Sequence, residues 1–110
     1  MTAADLIVDG RPSVPAHFDA EAYGALRGLF RRGLFSRERL DVMTARLAEL
    51  AVERVGLPGL LAQAHELADR LSPPDAFYVA LARIQGAELL TCDARLAETA
   101  AAFGAVRLVR

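Results

Sequence analysis

Apolar residues recur along this chain at spacings that divide it into short elements. Over residues 17–32 they lie three and four positions apart, which predicts a helix with a single apolar face. Turn residues separate this segment from others with the same periodicity. The further predicted helices cover residues 36–50, 58–71, 73–85 and 93–103.

Short continuous apolar runs between these helices predict strands. They cover residues 13–15, 52–55, 87–92 and 106–109, and Leu6-Ile7-Val8 forms one more run of this kind. Because helices and strands alternate, the chain is predicted to be an α/β domain. We expect a short, mostly parallel central sheet flanked by helices on both faces, with right-handed crossovers.

Composition and charge limit the possible classes of function but do not identify one. The 110 residues are 54% hydrophobic and 25% charged, a globular balance typical of one domain covering residues 1–110. The net charge is −1, so nucleic acid would have to be held by a local basic patch. Cys92 is the one cysteine, which excludes an intrachain disulfide and favours a reducing compartment. Because no secretion signal or long apolar run is evident, we expect a cytoplasmic protein that does not enter membranes.

Three acids stand where predicted helices begin: Glu21, Asp75 and Asp93. Capping explains each of them individually, because helix N-termini favour acids. In an open parallel sheet, however, the helix starts that follow the strands meet at one edge. Carboxylates gathered there repel one another unless a cation neutralises them, and Mg²⁺ prefers oxygen ligands. Such an ion can activate water and stabilise charge on a phosphoryl oxygen, which is what phosphodiester hydrolysis requires.

Three stretches around these acids resemble the PIN-domain family, specifically the VapC-type ribonuclease toxins of toxin–antitoxin systems. They cover residues 14–27, 71–82 and 86–97. The most specific segments are Asp-Ala-x-Tyr-x-Ala-Leu-Ala, which starts at Asp75, and Thr-x-Asp-x-Arg-Leu, which starts at Thr91. The resemblance extends from about residue 14 to residue 110 and implies a PIN-like three-layer fold.

The resemblance also implies a site and its partners. The family holds a metal on four acids, and Glu21, Asp75 and Asp93 match three of them as catalytic and metal-binding residues. Thr91 matches a supporting hydroxyl that hydrogen-bonds a carboxylate. The implied metal is Mg²⁺, with Mn²⁺ as an alternative. The implied activity is endoribonucleolytic cleavage of RNA by a toxin that a VapB-like antitoxin holds in check, and the implied assembly is a homodimer.

The fourth family acid is the point at which this chain departs from the pattern. The family carries that acid at the end of an opening strand followed by a helix, and too few residues precede Val14 to hold both. Either the first strand and helix are missing, or Leu6-Ile7-Val8-Asp9 is the opening strand and only the helix is deleted. We favour the first account, so Asp9 is left out of the candidate site.

Two other groups of residues carry alternative interpretations. The densest basic stretch is either a solvated helix end and turn or a set of phosphate contacts. The helical periodicity puts His17, Asp19 and Glu21 on different sides of one helix, which argues against a metal site that contains histidine. The basic stretch consists of Arg27, Arg31, Arg32, Arg37 and Arg39.

Two other functions stay open beside the nuclease. The incomplete set of acids is also what a catalytically impaired PIN remnant would show, and such a remnant would act only through antitoxin binding. An unrelated helical interaction module is the third interpretation. It requires that no parallel sheet be present.

Overall fold

The structure is a computed structural model that describes residues 6–9, 11–91, 94–104 and 106–108. These residues form five strands and five α-helices, which confirms the α/β class. The strands are β1 (Leu6–Asp9), β2 (Arg11–Pro15), β3 (Glu53–Val55), β4 (Glu88–Thr91) and β5 (Val106–Leu108). The helices are α1 (Phe18–Arg31), α2 (Arg37–Ala48), α3 (Leu61–His65), α4 (Pro73–Gln85) and α5 (Ala94–Ala100).

The strands form one sheet in the order β3-β2-β1-β4-β5. β2 and β3 are parallel, and so are β4 and β5, whereas β1 is antiparallel to both of its neighbours. Four strands therefore run in one direction, which confirms the mostly parallel sheet and contradicts the helical module that would lack one. The reversed central strand was not predicted.

β1 and β2 form a tight hairpin in which Asp9 pairs with Arg11 and Ile7 pairs with Ser13. No helix separates them in the described part of the chain. The hairpin puts the end of β1 at the edge where β2 begins, and β2 then runs about 13 Å to Pro15 at the opposite edge. The opening strand of the second account, Leu6–Asp9, is therefore present without a described helix after it, and its Asp9 end lies at the edge of the sheet opposite Pro15.

α4 is the central helix of the core. It contacts β1, β2, β4 and α3, and six of its residues are buried. Pro73 and Pro74 occupy its first turn, and Gly86 ends it with a φ of 61°, a left-handed conformation that glycine adopts without steric cost. The buried residues are Ala76, Tyr78, Val79, Ala80, Leu81 and Ala82.

α1 and α2 pack against each other as a helical hairpin, residues 18–48. The hydroxyl of Ser36 accepts a hydrogen bond from the Arg39 backbone N–H at 3.1 Å, and this bond caps α2 at the residue where the predicted helix begins. The buried faces are much shorter than their apolar patterns predict. Phe18 and Ala22 are the buried residues of α1, Leu40 is that of α2, and Leu50 is exposed.

The helix predicted over residues 58–71 is shorter than expected. A 3₁₀ turn at Pro58–Leu60 leads into α3, and after His65 the chain continues through turns. Leu67 N–H donates to the carbonyl of Ala64 at 3.0 Å, a three-residue closure that replaces helical bonding. The α5 prediction was also too long, because α5 ends at Ala100.

The Ser72 side chain makes no capping hydrogen bond at the start of α4. The Ser72 carbonyl instead accepts the Ala76 N–H at 2.9 Å. Across the ranges that the structure describes, no helix has both the length and the apolar character needed to cross a membrane.

Candidate active site

Glu21 lies in the first turn of α1, directly after the end of β2. Its side chain is 21% exposed, so one part is packed and another faces solvent. The hydroxyl of Tyr78 donates a hydrogen bond to its Oε1 at 2.9 Å. Because Tyr78 belongs to α4, this bond joins the first helix to the helix that carries Asp75.

Asp75 lies in the first turn of α4 and is half-buried. Tyr78 follows it by three residues, so both stand on the same side of the helix, with about 5–6 Å between their Cβ atoms. Aromatic side chains on a helix lean toward its N-terminus, which is where Asp75 lies. Tyr78 therefore brings Glu21 to the end of α4 that bears Asp75. Tyr78 is fully buried, and its bond to Glu21 was not predicted from the sequence.

Asp93, the third predicted acid, lies outside the described residues. The residues on either side of it can be placed, since Thr91 ends β4 and Ala94 begins α5. Leu6 pairs with Leu90 while Ile7 pairs with Ser13, so Thr91 is level with Pro15 at the edge near Glu21. β2 and β4 are two strand spacings apart, or about 10 Å. Thr91 itself is fully buried.

A pocket of about 280 Å³ borders Asp75. Two arginines and two hydroxyl groups share its lining, so a negatively charged oxygen could find several donors there. Arg95 belongs to the Thr-x-Asp-x-Arg-Leu segment, but neither arginine had been assigned a role from the sequence. The polar lining residues are Arg70, Ser72, Asp75, Arg95 and Thr99.

His17 packs beside Glu21, with its Nε2 3.3 Å from Glu21 Oε1 and its ring edge-on to the rings of Phe77 and Tyr78. The prediction that His17 and Glu21 face different sides is wrong, because residues four apart share one helix face. Neither ring nitrogen makes a hydrogen bond within the described structure. The packing of His17 thus helps to hold the Glu21 carboxylate in place.

Asp19 points elsewhere and has a structural role. Arg54 on β3 binds its carboxylate through two hydrogen bonds, of 2.6 Å from Nε and 2.9 Å from Nη2. The hydrogen bond to Asp19 raises the pKa of the Arg54 guanidinium, because it stabilises the charged form of the arginine. The bidentate pair fixes the start of α1 against the sheet, and therefore helps to position Glu21.

Two of the three predicted acids, Glu21 and Asp75, are among the described residues near this edge. Within the described residues, no three or more possible ligands are close enough together to hold a metal ion. Glu21 and Asp75 offer carboxylate oxygens, the donors that a hard divalent cation prefers. The donor chemistry of these two acids therefore fits Mg²⁺.

Comparison with known proteins decides the family. The PIN domain model matches residues 1–102. The chain belongs to the PIN-domain family. This confirms the resemblance drawn from the stretches around Glu21, Asp75 and Thr91, and with it the PIN-like α/β fold.

Several curated proteins are similar to this PIN domain. Ribonuclease VapC3 of Mycobacterium tuberculosis (strain ATCC 25618 / H37Rv) is 45% identical over 83 residues, which are 76% of this chain and 61% of that protein. Ribonuclease VapC12 of the same strain is 39% identical over 85 residues, 77% of this chain and 66% of that protein. Ribonuclease VapC9 is 37% identical over 102 residues, 88% of this chain and 76% of that protein. The chain thus spans about three fifths of the length of VapC3.

Proposed function

We propose that this PIN domain is a metal-dependent endoribonuclease of the VapC type, the toxin of a type II toxin–antitoxin system. The observation that carries the proposal is the 2.9 Å hydrogen bond from Tyr78 to Glu21, which holds the first acid at the helix end bearing the second. The names of the similar proteins, which call them ribonucleases, support the reaction class.

Glu21, Asp75 and Asp93 are proposed to hold Mg²⁺, or Mn²⁺ in its place, with Thr91 supporting a carboxylate. The bound ion would supply a more acidic water and neutralise charge on the phosphoryl group. Tyr78 keeps Glu21 oriented, since a carboxylate that already accepts one hydrogen bond loses less freedom on binding a metal. Arg70 and Arg95, which line the pocket beside Asp75, are proposed to bind a phosphate oxygen of the RNA.

The proposed setting follows from that activity. The substrate is RNA in the cytoplasm, and a VapB-like antitoxin is the proposed protein partner. A homodimer is the proposed assembly. No role at a membrane is proposed.

A second candidate is an impaired PIN domain that acts through antitoxin binding alone. The reversed β1 favours it, because the strand at the centre of the sheet ends with Asp9 at the edge away from Glu21. Such a site would lack the first acid of the family, and its metal affinity would be lower because it carries less negative charge.

Cleavage of labelled RNA in Mg²⁺ separates the two candidates. A nuclease loses cleavage in Asp75→Asn and in Asp93→Asn but keeps it in Asp69→Asn, which removes one exposed carboxylate from a turn outside the site. Wild-type protein that is folded, binds antitoxin and leaves the RNA intact would favour the impaired domain. Equal cleavage by all three variants would contradict the proposed site.

A further inference from the structure

The helical hairpin is attached to the rest of the domain mainly through the start of α1. α1 packs chiefly against α2 and makes few contacts with the other elements. Its buried residues are Phe18 and Ala22, so the part of the helix beyond Ala22 has no buried residue. Because Glu21 lies between these two residues, its position depends on how the first turns of α1 are held.

Two polar contacts from other elements hold these first turns. The Tyr78 hydroxyl of α4 donates to Glu21 Oε1 at 2.9 Å. On β3, Arg54 donates to both carboxylate oxygens of Asp19, at 2.6 Å from Nε and 2.9 Å from Nη2. The start of α1 is therefore connected to the central helix through Glu21 and to an edge strand of the sheet through Asp19.

The two contacts lie on opposite sides of the helix. Asp19 and Glu21 are two residues apart, which separates their side chains by about 200° around the helix axis. Contacts on opposite sides resist rotation of the helix about its axis. A rotation of about 10° moves a group that lies about 5–6 Å from the axis by about 1 Å. Metal–ligand distances tolerate only about 0.2 Å, so a small rotation of α1 matters for a ligand at Glu21.

Arg54 has the shape and the position to fix this rotation. Its guanidinium is a planar fork, so a pair with two hydrogen bonds sets the direction of the carboxylate as well as its distance. Nη2 also lies 3.5 Å from the carbonyl oxygen of Leu47, near the end of α2. In the sheet, Arg54 pairs with Val14 of β2, the strand that leads into α1. One side chain on β3 thus contacts both helices of the hairpin.

The pair between Arg54 and Asp19 determines geometry more than stability. The Arg54 side chain is 33% exposed and that of Asp19 is 40% exposed. Ion pairs exposed to this extent contribute little to the free energy of unfolding. Loss of the pair should therefore shift Glu21 while the domain stays folded, which separates a positioning role from a merely structural one.

We propose that Arg54 is a positioning residue for the metal ligand Glu21. Acting through Asp19, it fixes the rotation of α1, while Tyr78 holds the Glu21 carboxylate from the other side of the helix. Arg54 itself contacts neither the ion nor the RNA. This inference rests on the proposed metal-dependent function, in which Glu21 binds the ion, and it adds a residue on β3 to the groups that orient that ligand.

Tyrosine fluorescence tests the positioning without any metal. The chain has two tyrosines and no tryptophan, so Tyr23→Phe leaves Tyr78 as the one emitting tyrosine. A tyrosine whose hydroxyl donates to a carboxylate fluoresces more weakly than one bonded to water. In the Tyr23→Phe background and in EDTA, Arg54→Gln should raise the Tyr78 emission toward the level of a Glu21→Gln reference.

Arg107→Gln is the matched control. Arg107 also lies on an edge strand, β5, and pairs with the Glu88 carboxylate at 3.2 Å. The control therefore removes the same charge and the same kind of pair at the other end of the sheet. It should leave the Tyr78 emission unchanged, and its midpoint of urea unfolding should be close to that of Arg54→Gln.

Calorimetric titration of Mg²⁺ measures the consequence for the site. Arg54→Gln should weaken Mg²⁺ binding by about tenfold or more, as loss of a group that orients a ligand does. Arg54→Lys should restore part of this affinity, because it keeps the charge but not the fork. Combining Tyr78→Phe with Arg54→Gln should weaken binding by less than the product of the two single effects, since both act on one carboxylate.

The same measurements state what would overturn the proposal. Tyr78 emission and Mg²⁺ affinity that are the same in Arg54→Gln as in the control would do so. A much lower urea midpoint with unchanged Tyr78 emission would assign the pair a structural role alone. If Arg54→Gln does not fold, Arg54→Lys and Asp19→Asn decide by the same criteria. If Arg54→Gln changes the Tyr78 emission but the wild type binds no Mg²⁺, the proposed nuclease function fails while the control of Glu21 by Arg54 stands.

Discussion

α4, at the candidate site, and α2, in the helical hairpin (residues 18–48), are built on opposite principles. α4 buries six of its residues against the sheet, whereas α2 buries Leu40 and packs mainly against α1. The surroundings of α4 belong to the acidic part of the chain, and the hairpin is basic. A packed helix can hold carboxylates at a fixed distance, while an exposed one can offer its charges to a ligand. We infer that α4, together with the start of α1 that carries Glu21, supplies the acids of the proposed site.

The sharpest contrast is expected in stability. Leu81 is buried on α4, whereas Leu34, in the segment between α1 and α2, is 67% exposed. Leu81→Ala should lower the free energy of unfolding by about 2–5 kcal/mol through lost burial and a residual cavity. Leu34→Ala should change it by less than about 0.5 kcal/mol. Urea unfolding followed by circular dichroism measures both, and similar losses would refute the difference in packing.

Metal binding should depend on the packed contact between α4 and Glu21 at the start of α1. Tyr78→Phe removes the hydroxyl that holds Glu21 and should weaken Mg²⁺ binding by about 10- to 100-fold, the usual effect of losing a group that orients a ligand. Tyr23→Phe removes a hydroxyl from an exposed side chain about 200° around α1 from Glu21, and it should leave Mg²⁺ affinity unchanged. Calorimetric titration of both proteins compares them, and an unchanged affinity in Tyr78→Phe would deprive the hydrogen bond of its proposed role.

The smallest expected difference concerns the two serines at helix starts. Ser36 caps α2 through its side chain, whereas Ser72 makes no side-chain cap on α4. Ser36→Ala should cost about 1 kcal/mol of unfolding free energy. Ser72→Ala should cost clearly less. A larger loss in Ser72→Ala would show that the proline-containing start of α4 relies on the serine hydroxyl after all.

Much of the fold could be predicted because local signals were strong. Pro73 and Gly86 marked the ends of α4 by their backbone preferences, and the apolar run of β4 stood between two helices. The direction of β1 was not predicted, because whether a strand pairs parallel or antiparallel depends on its neighbours and not on its own sequence. The available signal was the Asp9-Gly10 pair, because an Asp-Gly pair between two strands favours a hairpin.

The positions of Glu21 and Asp75 at helix starts could be predicted, but the contact that joins Glu21 to α4 could not. Glu21 and Asp75 could be found from their places at helix starts. The hydrogen bond between Tyr78 and Glu21 could not be found, since it joins residues 57 positions apart through the packing of α4 beside α1. The limited burial of α1 was missed for the same reason. A sequence pattern shows which residues are apolar, but it does not show whether a neighbouring element covers them.

The measurement that tests the central claim most directly is calorimetric titration of Mg²⁺ and Mn²⁺ into the wild type, Asp75→Asn and Asp69→Asn. We expect saturable binding by the wild type and by Asp69→Asn, and a loss of about tenfold or more in Asp75→Asn, since one charged ligand is removed. Absence of metal binding by the folded wild type, or equal affinity in Asp75→Asn, would contradict a metal site built on Glu21 and Asp75.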